Sequence, residues 1–370
     1  MFRSRQVSRS ESNYMDETFK SNNESGFSIV EMIIVVGVMI VVMASLGALF
    51  TDTLKVTTAT YELTDAQENL RIAQEYINRD LMNAGDGLKS ISTIRVPQGF
   101  VTKYLTLNPV PDTSMPTGVV NLGILSSDNN LPANTIVQGS NPTTTVRTGT
   151  DRQTLLQIDS TFTPIALPAT PTASINSNGS TITVSSSDIG RFTVGEIYFV
   201  TSSLGGTFVT ITAKNTGTRV LTCANGDAYG LNVTGTGGHL KTISASGTLA
   251  TSLMRMKIIH YYVTATNLLI RREFGIKSGG FRDSIVAEHV LNVQFNYSLN
   301  IVDGSGNVAQ PTGTITNTEQ RLAVRQVEVT VTVESPRRLF GGLQPTLSGT
   351  TSTSVRNMQF RQALQPTAGG

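Results

Sequence analysis

Gly26-Phe27-Ser28-Ile29-Val30-Glu31-Met32-Ile33-Ile34-Val35-Val36-Gly37-Val38-Met39-Ile40-Val41-Val42-Met43-Ala44-Ser45-Leu46-Gly47-Ala48-Leu49-Phe50 is an apolar run broken by one carboxylate, Glu31. From Met32 to Phe50 it holds no charge and no proline. At 1.5 Å per residue that stretch makes ~28 Å of helix, close to the hydrocarbon thickness of a bilayer. A carboxylate costs roughly 2.5–3.5 kcal/mol at the centre of a spanning helix, and each Ile, Val, Leu or Phe returns roughly 0.3–0.6. The run therefore inserts despite Glu31, and the acid calls for a cationic partner. A cut between Gly26 and Phe27 would place a new α-amine one helical turn from Glu31, in the same subunit and within reach of a packed neighbour.

Gly26, the aromatic Phe27, the acid at Glu31 and the spanning helix together resemble the cleavage and methylation signature of type IV prepilins and type II secretion pseudopilins. The resemblance implies that a prepilin peptidase cuts after Gly26 and methylates the amine of Phe27. It also implies that Glu31 steers subunit docking. The stretch before the cut ends Asn23-Glu24-Ser25-Gly26, where the family commonly carries Lys or Arg ahead of the glycine.

The chain has 370 residues, 39% of them hydrophobic, which suffices for a substantial core. A net charge of +2 without a basic, aromatic-interleaved track argues against nucleic-acid binding. The single cysteine, Cys223, allows no intrachain disulfide and reads as an ordinary β-region residue. Residues 1–26 read as a polar leader, with Arg3, Arg5, Arg9 and Lys20 among acids. The four basic residues ahead of the helix, though matched in number by Glu11, Asp16, Glu17 and Glu24, favour a cytoplasmic N-terminus and export of the rest.

Residues 27–50 thus read as a membrane-spanning helix, which the resemblance implies also forms the fibre core, and residues 51–85 as its amphipathic continuation. Between Thr51 and Ala84 there is no Pro or Gly, and Ala59, Leu63, Ala66, Leu70, Ala73, Ile77, Leu81 and Ala84 recur at spacings of three and four. This places them on one helical face. Gly85 and Gly87 supply the stop. The spacing predicts one helix of ~85 Å from Phe27 to Ala84, its apolar stripe laid on a sheet. Gln67-Glu68-Asn69-Leu70-Arg71 and Asn78-Arg79-Asp80-Leu81-Met82-Asn83-Ala84-Gly85 resemble the stretch after the anchor in PilW-like minor pilins. Read without that resemblance, their polar members are solvent-facing helix residues.

Residues 86–252 turn rich in Thr, Ser, Gly and Asn, a loop-rich β region that reads as a possible insertion. Short β-like runs lie at Thr154–Ile158, Thr181–Val184, Gly195–Val200, Thr207–Thr212 and Arg219–Thr222. Gly149-Thr150-Asp151 resembles a PilW-family strand entry. Residues 253–370 are expected to form the antiparallel sheet of a pilin domain. Ile258–Val263 and Leu268–Glu273 suggest a hairpin about Ala265-Thr266-Asn267. Leu291, Val293, Phe295, Tyr297 and Leu299 alternate with polar residues, as do Val327, Val329, Val331 and Val333, so each segment reads as a strand buried on one face. Their layout again resembles the PilW-like minor pilins and the J-type pseudopilin.

No enzymatic constellation stands out. His239, His260 and His289 lack metal-ligand spacing, and Gly235–Gly238 reads as a turn rather than a phosphate loop. Asp303-Gly304-Ser305-Gly306-Asn307 has a faint calcium-loop pattern without the later bidentate acid, and reads as a hairpin turn. No cofactor or metal is expected.

The expectation is an α+β, pilin-like minor pilin of a type IV pilus, in the bacterial cytoplasmic membrane with its globular part outside, and in the fibre or its tip after assembly. The cleavage site is Gly26 and Phe27, the methylation site Phe27, the docking residue Glu31 and the close-packing residues Ala44 and Ala48. Partners implied by the resemblance are other minor and major pilins, the prepilin peptidase, the inner-membrane assembly platform and, before assembly, lipid. The alternatives are a type II secretion minor pseudopilin and an uncleaved membrane-anchored adhesin.

Overall fold

A computed structural model describes residues 26–88, 91, 93–110, 112, 114–139, 143–168, 174–275, 280–302, 308–339 and 342–355. The leader before Gly26 and the Asp303–Asn307 segment lie outside these residues. The chain is α+β, a long N-terminal helix followed by several antiparallel sheets. It divides into two units between Thr57 and Thr58.

The helix runs without interruption over Ile29–Asn83, 55 residues. In the first unit its side chains are exposed along nearly the whole length. In the second unit the expected stripe is buried at Ala66, Ala73, Ile77 and Leu81, continuing to Ala84 beyond the helix, while Ala59, Leu63 and Leu70 are only half-buried. The helix stops where Gly85 and Gly87 take φ of +79° and +75°, left-handed values that glycine adopts without penalty. The amide of Gly85 then donates to the Leu156 carbonyl at 2.7 Å, fastening the helix end to a strand.

Three sheets build the main body of the second unit. One runs in the order Phe281–Ala287, Leu269–Phe274, Met256–Val263, Arg152–Ile158, Leu125–Asp128. The expected hairpin is its centre, turning at Asn267 with φ +63°, a conformation Asn tolerates well. Another joins Val290–Leu299, Val324–Glu334 and Thr346–Ser354. Its valines alternate inward as expected, but Leu291 does not join the buried face. The register slips between Val290 and Asn292, so Val290 points into the core and Leu291 stays half-buried.

The remaining large sheet runs Val119–Asn121, Ile94–Pro97, Gly205–Thr210, Ile197–Ser202, Thr251–Met254, Ile165–Leu167, with one parallel pairing between Ile94–Pro97 and Gly205–Thr210. It is covered on both faces. Ile197, Phe199, Phe208 and Met254 enter the main core, while Tyr198, Val200, Val209 and Leu253 enter a separate one with Phe162, Phe192, Leu221 and Cys223. Alternate side chains of a strand point to opposite faces, so this sheet is a partition between two cores. The middle of the chain is accordingly built into the body. The 252/253 division falls inside the Thr251–Met254 strand, and the Leu125–Asp128 and Arg152–Ile158 strands complete the sheet that holds the C-terminal hairpin.

Gly349 lies in the Thr346–Ser354 strand where the helix crosses it. A Cβ there would stand 2.9 Å from Gln74 Nε2 and 3.1 Å from Leu70 Cδ2. Gly349→Val is expected to cost about 1–3 kcal/mol by overpacking. Gly349→Ala should cost less, because the Gln74 side chain can swing aside. Urea unfolding of the full chain in detergent micelles measures both; equal stability of Gly349→Val and the parent would show that the helix does not press on this strand.

Candidate functional site

The residues assigned to processing and docking lie at the start of the helix. Gly26, Phe27 and Ser28 precede it in non-helical backbone, and its first turn is closed by the Met32 amide donating to the Ser28 carbonyl at 3.1 Å. Glu31 stands in that first turn, where the positive end of the helix dipole favours a carboxylate. Phe27 is 79% exposed, leaving the Gly26–Phe27 peptide beside an open aromatic side chain. Among the described residues no hydrogen bond or ion pair engages the Glu31 carboxylate.

Farther along, the Ser45, Thr51 and Thr53 hydroxyls donate to carbonyls four residues back, Val41, Gly47 and Leu49, at 2.8–2.9 Å. Each hydroxyl is thereby satisfied within the helix, and at Ser45, inside residues 27–50, that is what a passage through hydrocarbon would require. Glu31 is the one ionisable side chain in this apolar stretch. Ala44 and Ala48 are exposed on one face, and a Cβ added at the neighbouring Gly47 would meet nothing within 4 Å. The helix is long and apolar enough to cross a membrane.

The second half of the helix is held by polar bonds as well as by its stripe. Asp80, 3% exposed, accepts from the Tyr261 hydroxyl at 2.6 Å and from Arg271 Nε at 2.5 Å. Arg271 in turn donates to Glu273. Burial pushes the Tyr261 phenol far above its ordinary range, so it stays a donor to Asp80. Asn78 donates to the Thr351 hydroxyl at 2.9 Å and accepts from Thr353 at 2.6 Å. Asn69 accepts from the Glu288 amide, and the buried Glu62 from the Arg337 amide.

Glu62 and Asp80 are therefore buried rather than facing solvent, and Asn69 is half-buried against the Glu288 amide. The signal was one of phase: 62, 66, 69, 73, 77, 80 and 84 follow one another at steps of three and four. They are the polar members of the apolar stripe.

Asp151, in the Gly149-Thr150-Asp151 entry, joins two sheets. Its amide donates to the Val293 carbonyl, and its carboxylate accepts from the amides of Phe295 and Asn130, both at 2.8 Å. Burial pushes its pKa up to about 6 against those two amides, with Asp128 adding a further push. Asp128 itself is paired with the buried Arg152. His260 is buried with Nδ1 2.8 Å from the Thr154 hydroxyl, and burial holds its pKa well below the ordinary histidine value; His239 is pushed down to about 4 by burial and by Arg95. Cys223 lies in the satellite core, its thiol pushed up to about 12 by burial. No protein-family model, curated protein or solved structure matches the chain.

Two expectations follow from this arrangement. Asp80→Ala strips Arg271 and Tyr261 of a shared buried acceptor and is expected to lower unfolding free energy by about 3–5 kcal/mol. Asp80→Asn, which keeps an acceptor oxygen, should lower it less; a cost under about 1 kcal/mol for Asp80→Ala in urea titration would remove Asp80 as a fastening point.

The second concerns pH. Folded Asp151 holds its proton more tightly than the unfolded chain, so its contribution to stability falls as pH rises from about 3.8 to about 6. His239 and His260 have depressed folded pKa values, so their contribution is present above pH 6.5 and is lost as pH falls. Asp151 thus opposes the acid loss caused by the histidines. Asp151→Asn is expected to steepen the decline of stability between pH 6 and pH 4, whatever its baseline cost; an unchanged slope in denaturation at stepped pH would contradict this.

Proposed function

We propose that this chain is a minor pilin of a type IV pilus, an assembly subunit first anchored in the cytoplasmic membrane and then built into a fibre. The observation that carries the reading is one uninterrupted helix with two characters. Its first part is apolar all round, begins at the Gly26-Phe27-Ser28-Ile29-Val30-Glu31 signature and is exposed. Its second part is fastened to antiparallel sheets.

On this reading the prepilin peptidase cuts after Gly26 and methylates Phe27. The open backbone at Gly26–Ser28 suits that access. The spanning segment then leaves lipid for the company of other pilin helices, guided by the assembly platform. There Glu31 meets the N-terminal amine of a neighbour, an ion pair far stronger in an apolar surround than in water. Ala44 and Ala48 let a neighbouring helix approach closely. The sheets remain outside the membrane, on the fibre surface or at its tip.

The N-terminus tests the reading. Mass analysis of the chain purified from membranes is expected to find it beginning at N-methylated Phe27, and an intact leader would overturn the proposal. Glu31→Ala should leave membrane insertion unchanged while reducing recovery in sheared fibres by at least tenfold; undiminished recovery would remove the docking role.

A further inference from the structure

The connection between the Val324–Glu334 and Thr346–Ser354 strands, residues 335–345, holds two arginines and no acid. Its backbone is tied to itself. The Ser335 amide donates to the Pro345 carbonyl at 2.9 Å, the Ser335 hydroxyl to the Arg337 carbonyl at 2.8 Å, and the Leu339 amide to the Leu343 carbonyl at 2.7 Å. These bonds leave three side chains outside. The Arg337 side chain is 83% exposed, Leu343 is 74% exposed, and Arg338 is exposed as well. Among the described residues no acid pairs with Arg338, and Arg337 has only Glu62, at 3.9 Å. A lone exposed leucine needs no explanation. Beside two guanidinium groups on a tied tip, it makes a basic surface with one apolar point.

Where the tip is fastened decides what it faces. The Arg337 amide donates to the Glu62 carboxylate at 3.0 Å. Glu62 is the first buried residue of the long helix, so the tip meets the helix at the end of its seat nearest in chain to the apolar run. Glu62 follows Phe50 by twelve residues, roughly 18 Å of helix. The headgroup layer of a bilayer is roughly 5–8 Å deep, and the potential of anionic lipids extends roughly 8 Å beyond it at physiological ionic strength. Together these cover most of that interval, and an arginine side chain spans the rest.

We infer that Arg337, Arg338 and Leu343 form a docking surface for anionic phospholipid headgroups of the membrane in which the helix is anchored. The planar guanidinium fork matches phosphate oxygens through two parallel hydrogen bonds. Each basic residue near an anionic bilayer surface shifts the docked population by roughly fivefold. Leu343 adds an apolar contact at the headgroup boundary, as interfacial segments do. The inference rests on the helix being a membrane anchor and is independent of pilus assembly.

The test places a nitroxide at Leu343→Cys in the full chain; Cys223, 1% exposed, stays unlabelled while the chain is folded. The chain is reconstituted in nanodiscs of phosphatidylcholine alone or with about 30% phosphatidylglycerol, and relaxation of the label by a neutral water-soluble nickel chelate is measured. Relaxation is expected to be at least threefold weaker in the anionic discs. Raising salt to about 0.5 M, or adding Arg337→Gln with Arg338→Gln, should restore the value seen in neutral discs. The salt arm needs no further substitution, so it decides even where the double variant folds poorly. Equal relaxation in both kinds of disc, or a difference that survives both salt and the double variant, would overturn the inference. A second label at Leu46→Cys reports the anchor separately. Shielded from nickel in both discs while the Leu343 label is indifferent to lipid charge, it leaves the anchor standing and the docking surface refuted; exposed to nickel in both, it refutes the anchor and the docking surface with it.

Discussion

Ala66, Ala73 and Ala84 carry nothing beyond Cβ and Gly349 carries no side chain at all, so helix and strand backbones close until Asn78 reaches two hydroxyls of the Thr346–Ser354 strand. Close approach has a cost in hydrophobic area. An alanine buries far less than the leucine it stands in for, at roughly 25 cal/mol for each Å². The helix therefore leans on directed bonds from Asp80, Asn78, Asn69 and Glu62, which compensate for a thin apolar contact and also specify its register. A helix slid by one turn would leave Asp80 buried without Arg271 and Tyr261.

The same economy of directed bonds recurs between sheets. Asp151 takes amides from two different segments, and Arg152 beside it pairs with Asp128, so two adjacent residues at the start of one strand anchor two neighbouring structures. Such groups hold geometry more than they add net stability, since desolvation offsets much of the attraction. Their value here is that sheets with short strands and long connections meet in one arrangement.

Much of this was legible before the fold was known, and the boundary of legibility is physical. The stripe from Ala66 to Ala84, the Val327–Val333 alternation and the hairpin at Asn267 each obey one period against one buried face. Ile197-Tyr198-Phe199-Val200 obeys none, because both of its faces are buried, and a continuous apolar run says nothing about which core receives which residue. Leu291 misled because a bulge changes phase locally. Asp80 was in phase with the stripe, yet its charge suggested solvent until its partners, far away in sequence, were in place. Of the candidate site, Gly26, Phe27, Glu31, Ala44 and Ala48 were legible as a motif, whereas the company the motif implies belongs to other molecules.

The helix comes early in the chain, but the strand that receives Asn78 is the last one described. Thr353 and Asn78 are 275 positions apart. Contacts of such separation form late and slowly, because loop closure must precede any gain from the contact. During synthesis the stripe from Ala66 to Leu81 therefore emerges long before its seat exists. Until Thr346–Ser354 arrives, that face is open to other helices and to chaperones, and the order of the chain itself sets a waiting period before the second half of the helix is locked down.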